Sequence, residues 1–586
     1  MKISTIPSAQ LLVQNLAAYG IQHIVISPGS RSAPLTLSLT ALPQFECHSV
    51  VDERSAAFFA LGIAQQLQKP VALVCTSGSA VLNYLPAVAE AFYSGVPLLI
   101  LSADRPTYRI DIGDGQTIRQ EQIMTSFSCY SGALVQDVTH ATQNILLSNQ
   151  QQLITPDTDL QKQQAEQNSR NQEILHIALG KLLEEQLPVH LNIPFEEPLY
   201  QLEAFKPLDL EAHSIGQKSS DPKLKEQLLD AYKNSSKTLI LVGVLHPQDQ
   251  IREVLASLAQ KDTVLIFAES LSNIKQAAVI ENIDVCIAPL ELKNNATAVF
   301  EELQPDLLIT LGGLVVSKMV KTFLRKNPPS RHFHLGNTPA YDTYFQGVSH
   351  IQGDVLEMLT MLAHQPIHPS KYRKIGQQHI NKHLQRHQAY VQKVPYSDFF
   401  VFGKLWKAIP QQYQIHLSNS SAVRYAQLFD SSALGDMYCN RGTSGIDGSI
   451  STAVGASQVA NQPTLCISGD LSFFYDSNAL WKNKIPSNFR IIIVNNNGGG
   501  IFRILPDTIK DDLFETYFET QHGQTAKQLA RMYGVKYSSA RNSWQLKWQL
   551  SRFFRPSKGP KILEIFTPTH KNPDVLSTYF EYLAQQ

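Results

Sequence analysis

The chain has 586 residues, 43% hydrophobic and 17% charged, enough for about three or four ordinary domains, each with its own core. Its 50 basic and 50 acidic residues balance, so nothing draws it to nucleic acid or an anionic membrane surface, and any anionic ligand must be held by locally placed Arg and Lys. The six cysteines form no Cys-x-x-Cys pair and several lie in apolar runs, which reads as reduced, structural thiols.

The first helix begins at Ile6-Pro7-Ser8 without the basic and apolar regions of a signal peptide. The longest apolar runs, such as Val96 to Leu101, fall far short of a membrane span. The expected compartment is the cytoplasm. From Ala9 to about Pro194, short apolar strands alternate with amphipathic helices: His23 to Ser27, Cys47 to Val51, the helix Glu53 to Gln68, Val71 to Cys75, the helix Ser79 to Tyr93, and Leu98 to Ser102. That alternation implies right-handed crossovers and a parallel sheet. A Gln-rich stretch, Gln143 to Gln172, predicts a loop and a polar helical segment on the surface.

Leu202 to Asp221 mixes Pro, Lys and Asp without periodicity and reads as a linker. A second block follows, with strands at Thr238 to Val242, Thr263 to Phe267, Asp306 to Leu311 and His332 to Leu335, and helices at Gln248 to Ala259 and Val315 to Leu324. No Gly-x-Gly-x-x-Gly follows these strands, which argues against a dinucleotide. A basic, His-rich helical linker, His368 to Lys393, leads into a third α/β block. The expected architecture is three doubly wound parallel-sheet domains, at residues 1–200, 201–370 and 371–586.

The third block holds the most informative feature. Gly469-Asp470-Leu471-Ser472-Phe473 follows one apolar strand, and Asn495-Asn496-Asn497-Gly498-Gly499-Gly500-Ile501-Phe502 follows another. Ligands of open α/β sheets bind beyond the carboxyl ends of strands, where glycine lets the backbone approach closely. Asp470 and Asn496 offer hard oxygens of the kind Mg²⁺ shares with phosphates. Either half alone is ordinary turn chemistry; the pair is far more specific. In the first block, Glu53 opens a helix just after a strand, where an acidic residue also favours the helix dipole. Arg31, Arg105, Arg424 and Arg441 all stand at strand ends beside small residues, which argues for substrates with several carboxylates.

Gly-Asp followed, about one βα unit later, by Asn-Asn after an apolar strand resembles the diphosphate signature of thiamine diphosphate (ThDP) enzymes. That resemblance implies that Asp470, Asn496 and the Gly498 carbonyl ligate Mg²⁺, with Mn²⁺ as an alternative ion, and that Gly469, Leu471, Ser472, Gly499 and Ile501 surround the cofactor. Leu471 departs from the family motif, which has Gly there. Glu-Arg-x-Ala-x-x-x-Ala-x-Gly from Glu53 resembles the family's pyrimidine-domain helix, making Glu53 the carboxylate on the aminopyrimidine, while Ile446 would support the bent cofactor from below. The family usually sets these halves on different subunits, which implies a homodimer with sites at the interface and leaves a tetramer open.

Ser-Pro-Gly-Ser-Arg-Ser-x-Pro-Leu, Asp-Arg-Pro, Gly-Gln-Thr-Ile-Arg-Gln and Asn-Arg-Gly-x-Ser-Gly-Ile-Asp-Gly resemble the branch of that family that serves menaquinone biosynthesis. The likeness implies decarboxylation of 2-oxoglutarate and 1,4-addition of the succinyl carbanion equivalent to isochorismate. Arg31, Arg105, Ser420, Arg424 and Arg441 would then hold carboxylates, Gln116 would lie beside the reacting carbon, and Ile501, Phe502 and Leu505 would form an apolar wall. Where that branch carries a Lys-Arg pair, this chain has Lys318-Met319, so one cation is missing. An acetolactate synthase or a simple 2-oxo acid decarboxylase would share Glu53, Asp470 and Asn496, without an obvious need for four arginines.

Overall fold

The computed structural model describes all residues except 149, 151–152, 156, 211–220, 277, 367, 482–483, 505–510 and 586. The chain divides into two compact units. The first comprises Met1–Gln217 with Ile450–Ala460 and Asp476–Ile485, and the second Lys218–Ser449, Asn461–Tyr475 and Pro486–Gln586.

The first unit is built on a six-stranded parallel sheet in the order Glu46–Ser49, His23–Ile26, Val71–Cys75, Leu98–Asp104, Val189–Pro194, Tyr130–Ala133. Val71–Cys75 and Leu98–Asp104 are buried at every position, as unbroken apolar runs require when helices cover both faces of a sheet. The stretch expected to be a linker starts as a strand, Leu202–Ala204, paired antiparallel with Lys2–Ser4. The Gln-rich stretch lies on the surface as expected, with one stripe turned inward. It forms the long helix Leu160–Glu185, but Gln164, Gln167 and Asn171 are buried. Gln164 accepts from the Val138 amide and donates to Asp137, and Asn171 accepts from the Val135 amide and donates to its carbonyl. These polar side chains pair with loop backbone that would otherwise lose its hydrogen bonds on burial.

The small residues of the helix Glu53–Leu67 have a packing reason. A Cβ on Gly62 would stand 1.9 Å from the Thr452 carbonyl oxygen, and one on Gly455 would stand 2.0 Å from that of Phe59. The helix Ser449–Val459 therefore crosses Glu53–Leu67 with backbones in contact.

The second unit holds two parallel sheets. One runs Val264–Ala268, Thr238–Val242, Leu307–Leu311, Arg331–Leu335, Ser349–Ile351; the other runs Met437–Tyr438, Gln414–Leu417, Thr464–Gly469, Arg490–Asn495, Lys561–Phe566, Lys536–Ala540. Leu271, Val285 and Val316 join the core of the second of these sheets. Asn273 bonds both the amide and the carbonyl of Met437, while Arg252 and Lys275 converge on Asp436 at 3.0 and 3.1 Å. The helix expected from Val315 begins at Lys318 instead. Glu269 takes the Val316 and Ser317 amides, and Ser317 caps the helix by accepting from the Val320 amide, so the residues before Lys318 spend their donors outside the helix.

Gly62→Ala is expected to destabilise the protein by about 1–3 kcal/mol, because the added methyl group meets backbone that cannot turn aside. Chemical denaturation of the variant against the parent checks this.

Candidate functional site

In the third sheet, Thr464–Gly469 and Arg490–Asn495 are adjacent parallel strands, with Gly469 level with Val494. Their loops consequently leave the sheet at the same edge. Asp470, 2% exposed, accepts from the Leu471 amide at 2.8 Å and the Gly498 amide at 2.9 Å, and His522 Nε2 lies 3.2 Å from the same carboxylate. Asn496 donates through Nδ2 to Asp398 at 2.9 Å. An ionised carboxylate only accepts, so this bond fixes the amide with its nitrogen inward and leaves Oδ1 as the free ligand atom. Burial pushes Asp398 up to about 6, while its bonds from Thr567 and Asn496 hold it down. Gly498, at φ +144°, adopts backbone that L side chains rarely take; its carbonyl accepts from the Gly500 amide at 3.0 Å and retains a second lone pair.

These groups line a cavity of about 140 Å³ that also meets Asn419, Ser420, Ile446, Leu471, Ser472 and Gly499 to Phe502. The volume lies below the ~300–1,000 Å³ of pockets that take whole organic ligands. It suits a diphosphate with its ion. Hard oxygens on Asp470 and Asn496, flanked by side-chain-free backbone, are the donor set Mg²⁺ takes. Ser472 Oγ donates to the Ile446 carbonyl at 2.6 Å and ties the Ile446 loop to the strand end. Phe502 is 37% exposed, and Leu505 lies outside the described residues.

Next to this cavity the second unit gathers cations. Asn419 accepts from Arg441 Nη1 at 2.6 Å and donates to the Asn440 and Gly445 carbonyls, so one side chain positions the whole arginine loop. Arg441 Nε is buried with no hydrogen-bond partner. Arg424 is lowered first by burial, then by Arg441, with Asp284 opposing. Lys318 is exposed, and Met319 packs against the apolar cluster around Ile280 and Phe323. One turn beyond Lys318, half-buried Lys321 is lowered by burial, raised by Glu269 and lowered again by Arg441. Lys321 thus brings a further cation within electrostatic reach of Arg441.

The first unit gathers a separate set. Arg31, 4% exposed, donates to the Phe195 carbonyl at 2.8 Å and to Glu197 at 2.9 Å, and its Nε is buried without a partner. Burial and the neighbouring Arg105 hold its pKa down. Arg105 donates to Ser77 at 2.7 Å and to the Gln116 carbonyl at 3.0 Å, and Gln116 has a φ of +55°. Glu53 begins its helix, capped by Asp52, and burial raises its carboxyl above the ordinary value. A carboxyl so raised can share a proton with a basic ring nitrogen.

Sequence reasoning missed Asp398, Asn419, Glu269, Lys321 and His522. Helical spacing from Lys318 points to Lys321; no local pattern links Asp398 to Asn496, since the sheet alone brings them together.

Two separate sets stand out, the pocket at the Asp470 and Asn496 strand ends and a half-buried glutamate that opens a helix, and comparison with known proteins makes the chain a ThDP-dependent enzyme. Residues 7–128 match the thiamine pyrophosphate enzyme N-terminal TPP-binding domain, and residues 420–565 match the C-terminal TPP-binding domain. The chain is 44% identical over its full length to the 2-succinyl-5-enolpyruvyl-6-hydroxy-3-cyclohexene-1-carboxylate synthase of Christiangramia forsetii, covering 100% of both chains. It is 43% identical to that of Flavobacterium psychrophilum, over 99% of each chain, and 36% identical to that of Porphyromonas gingivalis, over 96% of this chain and 95% of the relative. The chain belongs to the 2-succinyl-5-enolpyruvyl-6-hydroxy-3-cyclohexene-1-carboxylate synthase family, whose members form carbon–carbon bonds with ThDP.

Asp398→Ala removes the acceptor that orients Asn496 and is expected to weaken ThDP binding about tenfold or more, with the fold retained. Cofactor titration with circular dichroism of the same samples checks both. Glu269 is pushed up to about 7 by burial. The native chain keeps a proton that the unfolded chain releases between about pH 4.5 and 7, so this group's contribution to stability falls as pH rises through that window. Glu269→Gln is expected to flatten that decline by at most ~1.4 kcal/mol per pH unit, read from denaturation midpoints at pH 5, 6 and 7.

Proposed function

We propose that this protein decarboxylates 2-oxoglutarate and adds the resulting four-carbon unit to isochorismate, giving 2-succinyl-5-enolpyruvyl-6-hydroxy-3-cyclohexene-1-carboxylate for menaquinone biosynthesis. The observation that carries the reading is the placement of Asn419 and Ser420, which line the diphosphate cavity while Asn419 also holds Arg441, whose Nε is buried and unpaired. A guanidinium with a buried, spare Nε donor calls for an anion, and carboxylates are bound by such forks. Relatives that match along the whole chain are synthases of this product, which supports the reading.

When bound, ThDP with Mg²⁺ supplies a carbon nucleophile and an electron sink for loss of CO₂. Asp470, Asn496 and Gly498 hold the ion and diphosphate; Gly469, Leu471, Ser472, Gly499 and Ile501 wall that end, and Ile446 supports the rings. Glu53 holds a proton against the aminopyrimidine. Arg424, Arg441, Lys321 and Ser420 anchor substrate carboxylates, as do Arg31 and Arg105, with Gln116 aligning the acceptor. Lys318 is exposed and draws anions toward the site. The working form is a homodimer in the cytoplasm, with Glu53 of one chain serving the diphosphate site of its partner. None of the described helices is long and apolar enough to cross a membrane.

The test follows CO₂ release from 2-oxoglutarate together with loss of isochorismate, in the presence of ThDP and Mg²⁺. Equal release and loss, dependent on both substrates, is expected; CO₂ release with isochorismate untouched would leave a 2-oxo acid decarboxylase. Glu53→Gln is expected to keep the fold and much of the cofactor affinity and to lower turnover at least 100-fold, in the range of about 10²–10⁴ for general acid–base groups. Near-normal turnover would remove Glu53 from the mechanism.

A further inference from the structure

At the edge of the first unit's sheet, strand Glu46–Ser49 pairs in parallel with His23–Ile26, placing His23 opposite Glu46 and Val25 opposite His48. Side chains two apart on a strand share a face, so Glu46 and His48 project to the side on which His23 meets them. Glu46 turns one oxygen to each ring: Oε2 lies 3.6 Å from His23 Nδ1, and Oε1 lies 3.5 Å from His48 Nε2. One ligand atom from each of the three residues lies within 4.8 Å of the other two.

These separations exceed ordinary hydrogen bonds, and His23 Nδ1 is buried without a hydrogen-bond partner. Ligands about 2.0–2.1 Å from a tetrahedral ion stand roughly 3.3–3.4 Å from each other, close to both nitrogen–oxygen spacings. Burial, chiefly, lowers the His23 pKa, with nearby Lys69 adding to it and Glu46 opposing, so the ring favours the neutral form that ligates. The two rings lie 8° from parallel with centroids 6.1 Å apart, so a shared ion requires one ring to turn about its Cβ–Cγ bond. His48 packs edge-on against Phe59, and Glu46 is 59% exposed, leaving a solvent-side approach for an ion and its remaining water ligands.

The geometry points to a second metal site on this protein: His23, Glu46 and His48 bind a divalent transition metal, zinc foremost, which clasps the edge strand to its neighbour. Two imidazoles and one carboxylate are nitrogen-rich and borderline in softness, which excludes Mg²⁺ and Ca²⁺ as preferred ions and separates this site from the oxygen-only donors at Asp470 and Asn496. The clasp lies immediately before the Val50 to Asp52 turn that delivers Glu53, so an ion here stiffens the approach to that helix without touching the reaction.

The test titrates Co²⁺ into metal-stripped full-length protein, free of any affinity tag and holding ThDP with saturating Mg²⁺, following visible absorption and then Zn²⁺ displacement. Expected are one Co²⁺ per chain with a low-coordinate spectrum, a rise in thermal midpoint on Zn²⁺ addition, and at least tenfold weaker binding in Glu46→Gln and in His23→Gln. Glu46 is exposed, so Glu46→Gln keeps the fold and its turnover with ThDP and Mg²⁺ stays at the parent value. Absence of stoichiometric Co²⁺ in the parent, or unchanged affinity in Glu46→Gln, overturns the site.

Discussion

A carboxylate removed from water must be supplied with hydrogen-bond donors, and this chain arranges its ligand-facing loops around that requirement. Glu564, fully buried, accepts from Asn495, Thr525, Tyr537 and the Ala526 amide, and so anchors both the strand carrying the Asn cluster and the segment after His522. Asp398 does the same for Asn496, Glu269 for Val316 and Ser317, and Asp476 for Ser451. Glu269 and Asp476 take backbone amides where a helix begins, whereas Asp398 and Glu564 mainly hold side chains of neighbouring segments.

Some of these loops carry backbone that ordinary side chains disfavour. Ser420, Ser444 and Asn497 have φ of +68°, +62° and +67°, and all three belong to the turns that surround the cradle and Arg441. Such conformations persist only where surrounding bonds over-determine them. Here Asn419 pins the loop of Ser444 through the Asn440 and Gly445 carbonyls, and Asn497 Oδ1 accepts from the Gly523 amide at 2.7 Å. These bonds fix the turns around Arg441 and the Gly498 loop.

Substitution at one position is offset by burial at another. Met319 would be an odd neighbour for a substrate carboxylate, but its side chain joins an apolar cluster, while Lys321 returns positive charge to the neighbourhood of Arg441. Glu269 lies close enough to raise Lys321 while also being influenced by Arg441, so one buried acid tempers two cations. Without it, desolvated Arg424, Arg441 and Lys321 would repel one another and resist burial.

By itself the sequence determined the alternation of strands and helices, because unbroken apolar runs such as Arg490 to Val494 suit the inside of a parallel sheet and little else. It also placed Gly-Asp and Asn-Asn-Gly-Gly at strand ends, where the two strands lie side by side. The Gln-rich stretch lies on the surface as its polarity implies, but which of its side chains turn inward is not legible, because their partners, Asp137 and the Val135 and Val138 backbone, lie in another segment. Only the tertiary structure decided which amide face Asn496 presents, where the helix after Ser317 begins, and which lysine stands beside Arg441. Each depends on groups far apart in the chain, brought together by strand order and the need to satisfy buried charge.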